Sequence, residues 1–456
     1  MNSFGNFTSN KAINEVLHAG RYMWRHRTVK KLRTPLLPSI SIHRPSRRPS
    51  HHPSQPLDRP RPLHIPSAAM STIDKSNARP ANSWLGHQGA AAFDFRSDTM
   101  TTPTQDMLYA IQNTTLLDDV FEEDPTTIDL ETHVASLTGK EASLFVLSGT
   151  MGNQIALRSL LTQPPHGVLT DHRSHIIKYE AGGVTSLTGA MTSAVAPKNG
   201  LFLTLEDIKS NVVLGDEIHS CPTRVISLEN SLNGLITPLE EVKRISEFAR
   251  EHGILMHCDG ARLWEVVASG AGSLPDFCQY FDTVSLCFSK GLGAPIGSIV
   301  VGNKSLIKHA RWVRKSIGGG LRQSGVVTAA ARVAVDVTFG KGPNGEGGLL
   351  RDTHLTAKRV ERLWTALGGR MEYPVQTNMV WLDLESLNCT PSRFAQLGGQ
   401  AGLRLSGNRL ITHYQIGEEA IRRLTSIFEE VAAEQGASSY ERDRETPRHD
   451  LYGSNA

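Results

Sequence analysis

The stretch Phe281-Asp-Thr-Val-Ser-Leu-Cys-Phe-Ser-Lys-Gly-Leu-Gly-Ala-Pro295 sets the architecture of this chain, because it joins a predicted buried strand to a lysine in a glycine turn. Residues 282–288 are predicted as the strand, and Lys290 follows it almost at once. Desolvation lowers the pKa of a lysine, and a neutral amine can attack an aldehyde to form an imine. The alternative is a solvated loop lysine.

Outward from this stretch, apolar strand candidates alternate with helical stretches. This alternation predicts parallel strands covered by helices, in an α/β layered domain. A Gly- and Pro-rich break at 340–348 precedes a long helical stretch, two more strand candidates and a last helix. The predicted organisation is an N-terminal extension at 1–92, a large domain at 93–340, a small C-terminal domain at 341–435 and a polar tail at 436–456. The predicted strands are 143–147, 224–229, 254–259, 282–288, 297–301, 378–384 and 409–412, and the predicted helices include 105–117, 126–138, 238–252 and 417–434.

The composition is typical of a soluble globular protein, with 39% hydrophobic and 20% charged residues in a chain of 456. No apolar run is long enough to span a bilayer, so no membrane partner is expected. There are five cysteines, an odd number, and no pair has CxxC spacing. We therefore expect reduced thiols, an intracellular location and no bound metal.

Positive charge is concentrated at the N-terminus, where residues 1–70 hold 12 Lys and Arg against 2 Asp and Glu. The remaining residues hold 36 against 43, so the basic overall balance does not indicate a nucleic-acid partner. An Arg-rich, acid-poor start is compatible with a mitochondrial transit peptide, whereas a disordered arm or an upstream start codon would leave the protein cytoplasmic.

Three further features accompany Lys290, and each has a simpler alternative. The stretch Ser148-Gly-Thr-Met-Gly-Asn153 lies between a strand and a helix, where backbone N–H groups are suited to a phosphate; an ordinary glycine loop is the alternative. Asp259 ends a predicted strand and faces the crevice where α/β folds bind ligands, although it is also a candidate helix N-cap. His175 is positioned to stack on an aromatic ligand, or is a structural histidine.

The order of these features along the chain points to one cofactor. Pyridoxal 5'-phosphate (PLP) needs a phosphate cup, a partner for its ring face, an acid for its ring nitrogen and an imine-forming lysine. A carboxylate at the ring nitrogen keeps that nitrogen protonated through a charged hydrogen bond worth about 1.5–3 kcal/mol. The sequence therefore predicts a PLP enzyme that acts on a small amino acid.

Several longer motifs strengthen this prediction. The chain resembles the L-threonine aldolases, of the low-specificity and L-allo-threonine types, among the fold type I (aspartate aminotransferase-like) PLP enzymes. The resemblance implies a large domain with a mainly parallel seven-stranded sheet and a small C-terminal α/β domain. The motifs are Phe95-Arg-Ser-Asp-Thr99, Glu123-Asp-Pro125, Ser148 to Asn153, His257-Cys-Asp-Gly-Ala-Arg262, Ser289-Lys-Gly-Leu-Gly-Ala-Pro-Ile-Gly297 and Gly318-Gly-Gly-Leu-Arg-Gln323.

The resemblance also implies which residues hold the cofactor. Lys290 forms the imine, Asp259 pairs with the pyridine nitrogen and His175 stacks on the ring. Gly149 and Thr150 hold the phosphate.

Further implied residues bind the substrate or belong to the assembly. Ser97, Arg262 and Arg409 hold the substrate carboxylate, a bidentate task that suits a planar guanidinium, and Arg262 also belongs to the cofactor-binding set. Arg322 is expected to reach the phosphate of a neighbouring subunit, since the family is usually a homotetramer, a dimer of dimers with shared active sites.

The implied reaction is retro-aldol cleavage of L-threonine or L-allo-threonine to glycine and an aldehyde. A base removes the β-hydroxyl proton while the Cα–Cβ bond breaks; His175 and a bound water are both candidates.

Two departures weaken the prediction of threonine specificity. Many bacterial members have Glu-Asn-Thr-His-Asn where this chain has Glu229-Asn-Ser-Leu-Asn233, and the usual Val-Tyr-Gly-Glu-Asp is here Val120-Phe-Glu-Glu-Asp124. Both changes remove polar groups from around the substrate hydroxyl. A PLP-dependent alanine racemase of the threonine-aldolase-like fungal type is therefore the second hypothesis. A third, a non-catalytic scaffold, is opposed by the intact Lys290 and Asp259.

Overall fold

The structure is a computed structural model that describes residues 89–215, 217–340 and 347–442. Most of the predicted N-terminal extension, the centre of the 340–348 break and most of the predicted polar tail lie outside these ranges. Within them, every helix is too short or too polar to cross a lipid bilayer.

The described residues form ten strands and fourteen α-helices. The strands are β1 (Ala142–Val146), β2 (Gly167–Asp171), β3 (Met191–Val195), β4 (Thr223–Glu229), β5 (Leu255–Asp259), β6 (Thr283–Cys287), β7 (Ser298–Gly302), β8 (Arg370–Met371), β9 (Met379–Asp383) and β10 (Arg409–Ile411). The helices are α1 (Gln105–Gln112), α2 (Pro125–Thr138), α3 (Gly149–Leu160), α4 (His175–Lys178), α5 (Gly183–Thr188), α6 (Leu205–Asn211), α7 (Leu239–Glu251), α8 (Leu263–Ala268), α9 (Leu274–Cys278), α10 (Lys304–Ser316), α11 (Gly325–Val333), α12 (Gly348–Ala366), α13 (Pro391–Gln400) and α14 (Glu418–Arg442).

The large sheet has seven strands in the order β1-β7-β6-β5-β4-β2-β3, and β7 alone runs antiparallel to its neighbours. Helices cover both faces. In β1, Phe145 packs into one hydrophobic cluster, whereas Leu144 and Val146 pack into another. Strands that are covered on both faces bury successive side chains, which is why they read as continuous apolar runs in the sequence. The predicted α/β fold with a mainly parallel seven-stranded sheet is confirmed.

A second, three-stranded antiparallel sheet (β10-β9-β8) follows in the C-terminal part and packs with α12, α13 and α14. Phe95, although distant in sequence, is fully buried in the hydrophobic cluster of this region. Its backbone N–H donates to the Arg404 carbonyl at 3.0 Å, and its carbonyl accepts from Ile411 N–H at 2.9 Å. The boundaries predicted for the two domains remain a prediction. Phe93 and Phe95 pack into the hydrophobic cluster of the C-terminal part.

The predicted strands of the large sheet occur within one or two residues of their expected ends, but one helix is shorter than predicted. The helix expected over 105–117 ends at Gln112. The hydroxyl of Thr115 bonds instead to Asp124 Oδ1 at 2.6 Å and lies 2.7 Å from the Thr126 hydroxyl at the start of α2. Contacts with a later helix therefore override the local helical pattern.

Candidate active site

Two acidic residues end neighbouring parallel strands of the large sheet. Glu229 is the last residue of β4, Asp259 is the last residue of β5, and the two are partners in the strand register. The carboxyl ends of parallel strands border the crevice where open α/β sheets bind ligands. Burial, and next the negative charge of Asp259, raise the pKa of Glu229 to about 8, although Lys290 and Arg262 act in the opposite direction.

Asp259 is buried and accepts two hydrogen bonds. Its Oδ2 accepts from Asn153 Nδ2 at 2.7 Å, and its Oδ1 accepts from Ala261 N–H at 3.1 Å. It does not cap the next helix, because α8 begins at Leu263 with Arg262 in the N-cap position. A carboxylate oriented in this way at a strand end is available to a cationic ring nitrogen.

The glycine loop that follows β1 forms the start of α3. Ser148 is its N-cap, and the hydroxyl accepts from Met151 N–H at 3.1 Å. Gly149 and Thr150 supply the first two backbone amides of the helix, which have no partner within the helix. A Cβ at Gly149 would lie 2.7 Å from Cys287 Sγ, so the glycine is needed for close approach to β6. The N-terminus of α3 is thus suited to a phosphate.

His175 opens α4 and is held at two points. Its backbone N–H donates to Glu229 Oε2 at 2.7 Å, and its Nδ1 lies 2.8 Å from Glu180 Oε1. The imidazole is 37% exposed, which leaves it accessible from the crevice. The Tyr179 ring lies beside it, with the two ring centroids 5.5 Å apart.

Lys290 lies in the turn after β6, and its backbone is firmly anchored. Its carbonyl accepts from Gly293 N–H at 2.9 Å and from the Thr101 hydroxyl at 3.2 Å. Gly293 has a φ of 84°, and a Cβ there would lie 2.2 Å from the Tyr414 hydroxyl oxygen. The turn thus requires glycine both for its conformation and for space.

Two arginines lie near each other in the same region. Arg262 makes two hydrogen bonds to buried Asp98, from Nε at 2.8 Å and from Nη2 at 2.6 Å. Burial acts to raise the pKa of Asp98, but the charge and hydrogen bonds of Arg262, together with Lys290 and Asn378, lower it to about 2. Burial and then the charge of Arg262 lower the pKa of Arg409, whose guanidinium lies 5.7 Å from the centroid of the Trp381 ring.

Ser97 and Arg322 are the other two predicted site residues, and each makes contacts within this chain. The Ser97 hydroxyl accepts from Thr99 N–H at 3.1 Å, so it caps a short 3₁₀ turn beside Asp98. The Arg322 side chain is 60% exposed and pairs with Asp118 at 2.7 Å. Arg322 thus presents its guanidinium at the surface of this chain.

Four acidic or amide side chains of the site were not predicted: Asp98, Asn153, Glu180 and Glu229. Asp98, Asn153 and Glu229 lie within sequence motifs but have no implied role there. The strand register was the missing signal for Glu229, since two acids that end adjacent parallel strands must meet. Glu180 has no such signal, because its position depends on the path of the chain after α4.

The arrangement fits PLP. Lys290 offers the amine, Asp259 the acid for the ring nitrogen and His175 a ring for stacking. The N-terminus of α3 offers a phosphate cradle whose position depends on the close approach of Gly149 to β6. Fold and site together define a fold type I, PLP-dependent enzyme.

The chain belongs to the beta-eliminating lyase family, whose model matches residues 94–386, and it is a PLP-dependent lyase. It is 54% identical over 381 residues to Aldolase vrtJ of Penicillium aethiopicum, a match that covers 84% of this chain and 94% of the relative. It is 44% identical over 346 residues to Alanine racemase TOXG of Cochliobolus carbonum, covering 76% and 89%. It is also 44% identical over 332 residues to the low-specificity L-threonine aldolase of Candida albicans, covering 72% and 87%. The predicted family resemblance is confirmed.

Solved structures share the fold. A threonine aldolase of Leishmania major matches with a TM-score of 0.65 and 19% identity, covering 75% of this chain and 99% of that one. A structure of SPT with PLP internal aldimine matches with a TM-score of 0.56 and 17% identity, covering 75% and 88%.

Proposed function

We propose that the protein cleaves L-threonine and L-allo-threonine to glycine and acetaldehyde in a PLP-dependent retro-aldol reaction. The observation that carries this proposal is that Glu229 feels the charge of Lys290, bonds to His175 N–H and is the register partner of Asp259. Arg262 and Arg409 lie close to each other in the same region. Identity of 44% to a low-specificity L-threonine aldolase supports the choice of substrate.

The substrate would be oriented by its carboxylate. Arg409 offers a planar guanidinium fork for that group, and Arg262 is kept rigid by its two bonds to Asp98. PLP, when bound, supplies an electron-withdrawing ring that stabilises negative charge at Cα. His175 is the candidate acceptor for the β-hydroxyl proton, since its Nδ1 is occupied by Glu180 and its other nitrogen, Nε2, is left for the substrate.

Alanine racemization is a second candidate, favoured by specific observations. Leu232, which stands where the resemblance places the hydroxyl-contacting histidine of many bacterial threonine aldolases, is 5% exposed and packs into the protein. The carbonyl of Asn233 accepts from the Trp381 indole at 2.9 Å, so this loop is tied to the C-terminal sheet. A racemase needs no contact with a β-hydroxyl, and TOXG is 44% identical to this chain.

A direct assay separates the two reactions. The purified protein with PLP would be incubated with L-threonine, L-allo-threonine and L-alanine, and acetaldehyde and D-alanine would be measured. We expect acetaldehyde from the first two substrates. Lys290→Ala should lose both this activity and the visible absorbance of a protein-bound PLP imine, whereas Lys308→Ala, a substitution on the exposed side of α10, should keep both. D-alanine without acetaldehyde would reverse the order of the two candidates.

We also propose a homotetramer in which Arg322 reaches the phosphate in a neighbouring subunit. Its exposure supports this, as do two large apolar side chains that are mostly exposed on this chain, Phe121 at 69% and Trp312 at 68%. Analytical ultracentrifugation should give the mass of four chains. Arg322→Ala should weaken PLP binding, and a monomeric species of full activity would contradict the proposal.

For localisation we propose the cytoplasm, with mitochondrial targeting as the alternative. The Arg-rich composition of residues 1–70 supports the alternative. Imaging the full chain beside a chain that starts at Met70 tests both, since a mitochondrial signal that is lost on truncation would favour a transit peptide.

A further inference from the structure

A buried amide connects two carboxylates behind the crevice. Asn153 Nδ2 donates to Asp259 Oδ2 at 2.7 Å and to Glu180 Oε1 at 2.8 Å. All three side chains are at most 3% exposed. Both N–H bonds of the amide are therefore used, one for each carboxylate.

The other neighbour of Asn153, His257, is compatible with this orientation of the amide. The amide oxygen lies 3.2 Å from His257 Nε2, and His257 Nδ1 lies 2.9 Å from the Thr283 hydroxyl. Burial lowers the pKa of His257 to about 4, so the imidazole is neutral near pH 7. Since an amide oxygen only accepts, Nε2 carries the proton and Nδ1 accepts from Thr283. The NH₂ group of Asn153 faces the two carboxylates, which only accept when ionised, and His257 completes the arrangement by donating to the amide oxygen.

At the other end, Glu180 holds the imidazole of His175. Glu180 Oε1 lies 2.8 Å from His175 Nδ1, and a carboxylate at this position accepts a hydrogen bond from Nδ1–H. An uncharged imidazole that carries its proton on Nδ1 has an unprotonated Nε2. Burial raises the pKa of Glu180, and the hydrogen bonds from His175 and Asn153 oppose that rise, so the charge on Glu180 depends on these two partners.

We propose that Glu180 and Asn153 are positioning residues. Glu180 keeps His175 in the tautomer whose Nε2 accepts a proton, and Asn153 joins this pair to Asp259. The proposal rests on the proposed function, which assigns His175 and Asp259 to the cofactor and substrate. As a consequence, Asp259, the acid for the ring nitrogen, and His175, the candidate base, are joined through Asn153 and Glu180.

Two substitutions test the proposal in the full-length protein, with a matched control. Glu180→Gln keeps an oxygen for His175 but removes the charge, and Asn153→Leu removes the bridge at similar volume. Glu131→Gln is the control, because it also removes a buried carboxylate, one that bonds to Phe145 N–H and pairs with Arg311 away from the crevice. The measurements are kcat and KM, the PLP dissociation constant of the dialysed protein, and the unfolding temperature.

We expect Glu180→Gln to lower kcat about 10- to 100-fold with KM within about twofold, the pattern of a lost transition-state interaction. Asn153→Leu should weaken PLP binding about 10- to 100-fold, as for a lost hydrogen bond to a charged group. The double variant should bind PLP no more weakly than Asn153→Leu, since both changes break one network. Glu131→Gln should lower only the unfolding temperature.

The proposal is overturned if both site variants match Glu131→Gln, or if the double variant binds PLP more weakly than Asn153→Leu. It is also overturned if the purified enzyme holds a stoichiometric divalent cation that a chelator removes with loss of activity, because His175, Glu180 and Asp259 offer ligand atoms within 4.8 Å of one another. These outcomes are distinct from failure of the proposed function, in which the unmodified protein binds no PLP at Lys290 or forms neither acetaldehyde nor D-alanine.

Discussion

The residues of the crevice are arranged for chemistry at some cost in stability. Three carboxylates, those of Asp259, Glu180 and Glu229, lie together, and burial raises the pKa of both glutamates. The positive charges of Lys290 and Arg262 oppose part of the rise in the pKa of Glu229. Acids with displaced pKa values that face a crevice are characteristic of functional sites.

The raised pKa of Glu229 gives a pH-dependent prediction. An acid whose pKa rises from 4.5 to about 8 on folding binds its proton more tightly in the folded state, so stability falls as pH rises between these two values. Glu229→Gln cannot ionise and should not show this fall. We expect the variant without PLP to unfold at a higher temperature than the unsubstituted protein near pH 8, with the difference shrinking towards pH 4.5. A difference that is independent of pH would contradict the prediction.

Arg409 gives a second prediction at this scale. Arg409→Lys keeps the charge but loses the planar fork, so one of two hydrogen bonds to a substrate carboxylate is lost. We expect KM for L-threonine to rise about tenfold or more, with a smaller change in kcat, in steady-state assays. Arg404→Lys, an exposed arginine of the same part of the chain, is the control. An unchanged KM in Arg409→Lys would count against the assignment.

At the scale of elements, the proposed phosphate cradle depends on how closely α3 approaches β6 and β7. A Cβ at Gly149 would lie 2.7 Å from Cys287 Sγ, whereas the next nearest atom, Ser298 Oγ, would be at 3.7 Å. The thiol is therefore the main obstacle to any side chain at this position.

We therefore expect Gly149→Ala to destabilise the protein by about 1–3 kcal/mol and to weaken PLP binding, because the helix must shift outward. Cys287→Ala removes the clashing sulfur, so the double variant should recover part of both losses. Denaturant unfolding and PLP titration of the four proteins form a double-mutant cycle. If the effects of Gly149→Ala and Cys287→Ala simply add in the double variant, the Cys287 sulfur is not the obstacle and the prediction is wrong.

At the scale of the whole molecule, Asp98 joins distant parts of the chain. It accepts two bonds from Arg262, which precedes α8, and one from Asn378 Nδ2 at 3.3 Å, next to β9. The segment that precedes α1, the large sheet and the C-terminal sheet therefore meet at one buried carboxylate. Under the proposed function, in which Arg262 holds the substrate carboxylate, substrate binding and the packing of these parts would depend on the same ion pair.

Asp98→Asn should destabilise the protein by about 3–5 kcal/mol, because Arg262 is left buried without its counter-charge. Asp336→Asn, which removes the partner of Arg332 in a more exposed ion pair, should cost less than about 1 kcal/mol. Equilibrium unfolding in urea measures both. The contribution of Asp98 should be present above its unfolded pKa of 3.8 and should be lost as pH falls towards 2. Equal effects of the two substitutions would contradict this role.

Much of the architecture follows from local patterns. Apolar strands alternating with helices predict the α/β sheet, and polar residues at strand ends predict where Lys290 and Asp259 lie. These inferences succeed because strand propensity, helix capping and the side chain that follows a strand depend on neighbours in sequence.

Partners chosen across the fold were not predictable in this way. Thr115 lies outside α1 and bonds to Asp124. Phe95 packs with the C-terminal sheet, and Arg262 bonds to Asp98. Asn153 likewise meets Asp259 and Glu180 only after α3 and β5 pack together. A buried polar group must find a partner wherever packing brings one, and that choice depends on distances across the folded chain rather than on separation along it.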